Sequence, residues 1–112
     1  MEDFIRRRQL GLFVNQFTIY VPKTYNDGTP IPKSYFEFLE DYLLNEYNTY
    51  SRRDVFGAWA SPTLGVIREH SNEYFIYGRA DRRKIFALAK IIKSFWKQQS
   101  VMVVINGKEV FV

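Results

Sequence analysis

Asp81 to Val112 constrains the fold more than any other segment, because three signals of different period follow one another in it. Asp81 has the chemistry of a helix N-cap. Ile85, Leu88, Ala89, Ile92, Phe95 and Trp96 then recur at helical spacing, the cleanest amphipathic stripe in the chain. Val101 to Ile105 is an unbroken apolar run, the pattern of a strand buried inside a sheet. Asn106-Gly107 is a strong hairpin signal, so Lys108 to Val112 folds back as an edge strand.

The preceding residues supply the rest of a sheet. Gly11 to Val21 reads as a first strand, with apolar residues at odd positions from Phe17 onward and Thr18 and Tyr20 on the other side. Pro22 ends it, Asn26-Asp27-Gly28 makes a turn, and Pro32 suits the start of a helix over Lys33 to Tyr47. Phe36, Leu39, Leu43 and Tyr47 form the apolar stripe of that helix, while Glu37, Glu40, Asp41 and Glu46 lie on its polar face. Val55 to Ala60 and Val66 to Tyr77 read as two strands of a hairpin turning at Ser61-Pro62, with Ser71-Asn72 a point where the longer strand is expected to bulge. The order is β-α-β-β-α-β with a terminal strand. It predicts an α+β domain of ferredoxin-like type, an antiparallel sheet with both helices on one face and a short C-terminal hairpin strand. A length of 112 residues accommodates one such domain over 1-112, with residues 1-9 expected to be a flexible basic arm.

Composition narrows the function classes. Ten Phe and eight Tyr mark a packed domain rather than a disordered one. No cysteine is present, so thiolate metal sites, disulfides and a Cys nucleophile are excluded. Phosphate-binding Gly-rich loops, paired metal-ligating histidines and Gly-x-Ser-x-Gly are all lacking, and no cofactor or metal is expected. The N-terminus lacks signal-peptide form and no apolar stretch reaches the ~20 residues of a membrane span, so the expected location is cytoplasmic, with no membrane partner.

The uncommon polar residues concentrate on the hairpin. On an extended strand Arg68 and His70 share one side and Glu69 and Ser71 the other. Without a functional role these residues form a solvated hairpin end with a weak ion pair. Trp59 lies two residues after Gly57 on the same strand face, where Gly57 leaves room for a ring or a ligand; core packing is the first expectation for so large a side chain. The second helix carries Arg83, Lys90, Lys93 and Lys97 near one face, opposite in sign to the acidic first helix. With a net charge of +4, that stripe is a basic surface suited to an acidic protein or to non-specific nucleic-acid contact. Nucleic acid is not favoured, because Tyr74-Phe75-Ile76-Tyr77 lacks the aromatic signature of RNA-recognition strands.

Ile19-Tyr20, Phe38-Leu39, Gly57-x-Trp59, Gly65 with Ile67-Arg68-Glu69 and Ser71, and Gln99-Ser100-Val101 together resemble an uncharacterised domain-of-unknown-function family of small bacterial proteins, many of them lipoproteins. The resemblance covers about Ile19 to Val104. It implies one compact α/β domain in which Trp59, Arg68, Glu69, Ser71, Gln99 and Ser100 recur as a set, and it supplies no activity. The chain departs from that family in having neither a lipoprotein signal nor its cysteine.

Three functions follow as expectations. The first is a non-catalytic binding or interaction module, a homodimer that buries the sheet face opposite the helices. The second is a small enzyme or ligand-binding protein for an anionic small molecule. In it Arg68 is the anion handle, Glu69 its orienting partner, Gln99 and Ser100 neutral hydrogen-bonding groups, and Trp59 a wall. The third is nucleic-acid binding through the second helix.

Overall fold

A computed structural model describes residues 11–112; the expected arm over residues 1-9 lies outside them. The elements are β1 (Phe13–Pro22), α1 (Lys33–Tyr47), β2 (Ser51–Ser61), β3 (Gly65–Asp81), α2 (Arg82–Phe95), β4 (Met102–Ile105) and β5 (Lys108–Phe111). They form an α+β domain with one five-stranded sheet in the order β2-β3-β1-β4-β5, every neighbouring pair antiparallel.

Strand alternation decides which face is buried. Phe17, Ile19 and Val21 of β1 lie across from Ile76, Tyr74 and Asn72 of β3, and Phe17 and Ile19 also lie across from Ile105 and Val103 of β4. All of these but the polar Asn72 join Leu39 and Leu43 of α1 and Ile85, Leu88, Ala89 and Ile92 of α2 in a single core. Both helices therefore cover the same side of the sheet. They run antiparallel: Lys84 at the start of α2 donates to Glu46 near the end of α1 at 2.7 Å, while Tyr35 near the start of α1 packs on Trp96 past the end of α2, centroids 5.3 Å apart.

Local signals account for the ends. The Asp81 side chain accepts from the Arg83 N–H at 2.8 Å, and Asn48 closes α1 in the left-handed conformation. Asn106 and Gly107 have φ of 51° and 76°, the paired positive angles of the β4–β5 turn. Three expectations need correcting. β2 begins at Ser51 rather than Val55, because Arg52, Arg53 and Asp54, which look like loop residues, are held by Glu40, Glu73 and Lys23. β3 runs unbroken through Ser71-Asn72, both buried, and the irregularity falls between Val14 and Gln16 of β1. Lys97 lies beyond α2 at φ 53°, off the helical face assigned to it.

β1 pairs with β3 only as far as Pro22 opposite Ser71. Past that point β2 and β3 continue as a two-stranded ribbon to Ser61 and Gly65. The ribbon overhangs the sheet, and that overhang shapes the site.

Candidate functional site

The helix-free face of the sheet carries a cleft of about 770 Å³. Tyr20 and Pro22 of β1, Glu73 of β3 and Met102 of β4 lie along it. The ribbon forms one wall with Gly57, Trp59, Ile67, Glu69 and Ser71, and Gln98, Gln99, Ser100, Glu109 and Phe111 stand on the other side. Alternation explains the set: Gly57 pairs with Glu69, Trp59 with Ile67, and Arg53 with Glu73, all on the side away from the helices.

The charge of the lining is its decisive property. Glu69, Glu73 and Glu109 line the cleft, and among the described residues no Lys, Arg or His does. Glu73 is engaged by Arg53 at 2.9 Å. Burial pushes the Glu69 carboxyl above its ordinary range, with the Trp59 indole N–H working in the opposite sense. A carboxylate held this way gains from any cation that replaces its lost water. Gly57 faces Glu69 across the ribbon, and a Cβ built on it meets nothing within 4 Å, so the backbone there is open to a ligand.

Five residues singled out from sequence line this cleft together: Trp59, Glu69, Ser71, Gln99 and Ser100. Arg68 and His70 do not line it. Adjacent strand residues point to opposite faces, so both lie on the helix side of the ribbon; His70 stacks on Phe56 and sits 3.5 Å from Asp54. An Arg68–Glu69 pair over one ligand is therefore not formed. Trp59 is not a core residue; it stays more than a third exposed at the cleft. On α2, Arg83 is paired with Asp81 at 3.0 Å and Lys93 is half-buried, so Lys90 is the most available charge of that stripe.

Sequence reasoning missed the acids and the second wall. Glu73, Glu109 and Tyr20 join the site only through the register of β3 on β1 and of β5 on β4, which no local pattern announces. It also missed a cluster on the opposite face. Glu40 of α1, its side chain only 15% exposed, accepts from Tyr74 Oη at 2.7 Å, Arg52 Nη1 at 2.7 Å and Tyr50 Oη at 3.0 Å. Burial raises the Glu40 pKa, but these hydrogen bonds outweigh it and hold the carboxyl below its usual range. Among the described residues there is no group of three or more His, Cys, Asp or Glu suited to a metal, and no helix long and apolar enough to cross a membrane.

No protein-family profile matches the chain, and no curated protein does. Two solved structures resemble it. A phage SAM lyase in complex with S-methyl-5'-thioadenosine matches with a TM-score of 0.65 and 19% identity, over 90% of this chain and 84% of that one. A phage SAM lyase in the apo state matches with a TM-score of 0.56 and 15% identity, over 89% and 83%. At these identities the likeness is one of fold.

Proposed function

We propose that the chain is a small-molecule enzyme whose cleft takes a cationic adenosyl sulfonium of the S-adenosylmethionine type and cleaves a C–S bond. The observation that carries this reading is the lining: Glu69, Glu73 and Glu109, of which only Glu73 has a cationic partner, Arg53, and no basic residue among the described ones lining the cleft, beside Trp59, Tyr20 and Phe111. Such a lining repels the anion expected from sequence and favours a cation; aromatic faces add cation–π and stacking contacts. A sulfonium keeps its charge at every pH, and its purine ring suits the aromatic wall. The similarity in fold to a SAM lyase supports the same class. We also take the strand order, with β3 between the two strands that α1 connects, as the ferredoxin-like arrangement.

Breaking the bond sends its electron pair to sulfur and leaves a neutral thioether. The carbon fragment completes its valence by closing on its own carboxylate or by losing a proton, for which Glu69 is the candidate base. Calorimetry with S-adenosylmethionine, followed by chromatography for S-methyl-5'-thioadenosine, tests both halves. Binding of an anionic nucleotide in preference to the sulfonium, or no heat with either, would defeat the reading.

A second reading retains the interaction module. Phe56, Leu64 and Val66 on the overhanging ribbon are exposed, as a surface closed by a second copy would be. In that case substitutions on the ribbon change the sedimentation coefficient and the sulfonium produces no heat.

A further inference from the structure

The outer side of the helical layer is not finished like a solvent face. Phe38 of α1 is 77% exposed, and Ile91 and Phe95 of α2 are 52% and 59% exposed. Between the helices Phe38, Tyr42, Ala87, Leu88 and Ile91 line an apolar groove of about 200 Å³. Contiguous apolar surface of this kind marks a contact site more often than chance exposure.

Charge is distributed unequally on either side of the groove. By helical spacing Asp41 lies on the border of α1 away from α2, and Lys90 on the border of α2 away from α1. Both are exposed, and neither has an ion-pair partner among the described residues. Because the helices are antiparallel, with residues 46 and 84 level at one end and 35 and 96 at the other, Asp41 and Lys90 stand at nearly the same height.

We infer that this helical face is a self-association surface, on which a second copy docks two-fold symmetrically with α1 of each protomer over α2 of the other. The charges select this arrangement. A two-fold axis parallel to the helices sets Asp41 of each copy over Lys90 of its partner, twice per dimer, and closes Phe38 and Ile91 against each other's groove. An axis across the helices would stack α1 on α1 and Asp41 on Asp41. The surface is distinct from the sheet face that holds the cleft, so a dimer formed here leaves the cleft open.

The test is a charge swap read by sedimentation velocity over a concentration series. Asp41→Lys alone and Lys90→Glu alone each place like charges together twice, and each should weaken dimerisation by at least about tenfold. The chain carrying both changes re-forms both pairs and should return to within about threefold of the parent. Circular dichroism melts of all three variants show that the fold persists. A parent chain that stays monomeric to about 0.5 mM overturns the inference. Single variants that dimerise like the parent, or a double variant as weak as the singles, overturn it equally; either result assigns any dimer to another face.

Discussion

Removing one oxygen from the core tests how the domain is joined. Tyr74 has no exposed surface, and its hydroxyl donates to Glu40 Oε2 at 2.7 Å while lying 3.4 Å from Asn72 Nδ2. Burial, then Glu40, push its proton affinity up, so the hydroxyl remains a donor throughout the working pH range. Tyr74→Phe keeps the ring and its packing on Tyr50, with centroids 6.0 Å apart, and deletes only the hydroxyl, with its short bond to Glu40 and the long one from Asn72. A bond to a charged group contributes about 1.5–3 kcal/mol. Glu40 keeps Arg52 and Tyr50, and water reaches its 15% exposed side chain, which places the loss near the low end, about 2 kcal/mol. For a domain near 100 residues that lowers Tm by roughly 8 °C or more.

The pH dependence supplies a sign. Glu40 has a folded pKa below its unfolded value, so its contribution is present above the ordinary carboxylate range and is lost as pH falls through the folded pKa. The gap between parent and Tyr74→Phe should therefore be widest near neutral pH and close in acid. Calorimetric or circular-dichroism melts at several pH values read both. A difference below about 2 °C at neutral pH, or one that widens in acid, would refute the reasoning.

Four further outcomes are expected. Glu69→Gln should weaken S-adenosylmethionine binding by about tenfold or more without lowering Tm, since burial already disfavours its ionised form. In the parent, affinity should fall as pH drops through the raised Glu69 pKa, and titration calorimetry of the variant should show no such step. Gly57→Val places branched carbons in open space beside Glu69, so it should block the ligand while the melt is unchanged; unaltered binding would move the ligand elsewhere. Gly107→Ala forces a Cβ onto φ 76° and should cost about 1–2 kcal/mol in a denaturant titration.

The sequence was most informative where a signal is local. Asp81, the 85–96 stripe and Asn106-Gly107 each announce their own backbone, and α1 runs over the predicted Lys33 to Tyr47. It was least informative where a residue's role depends on a partner far along the chain. Arg52 to Asp54 look like a charged loop until Glu40, Glu73 and Lys23 arrive to hold them in β2. The site divides in the same way. Strand alternation already put Glu69 and Ser71 opposite Arg68 and His70, but which pair faces the cleft depends on the register of β3 on β1, and the overhang that shapes the cleft on where β1 stops pairing with β3. Arg68 was the conspicuous charge in the sequence, and register places it on the other face from the cleft.

That stopping point also connects the Glu40 cluster to the cleft. Trp59 and Glu69 sit on a ribbon that β1 supports only as far as Ser71, with one further bond from Lys23 N–H to the His70 carbonyl at 3.0 Å. A free two-stranded ribbon is marginal in water, so its angle is set at its root. There Glu40 grips Arg52, Tyr50 and Tyr74, Arg53 bridges to Glu73, and Lys23 reaches Asp54 at 3.1 Å. The opposite wall, Gln99 to Met102 with Glu109 and Phe111, is anchored separately through the β1–β4 and β4–β5 pairs. The angle of that wall is then tied to contacts on both faces at its root, Glu40 and Lys23 on the helix side and Arg53 with Glu73 on the cleft side. The exposed pairs among them weaken as salt rises, whereas the part-buried Glu40 cluster weakens less. The cleft should therefore loosen with ionic strength well before the core does.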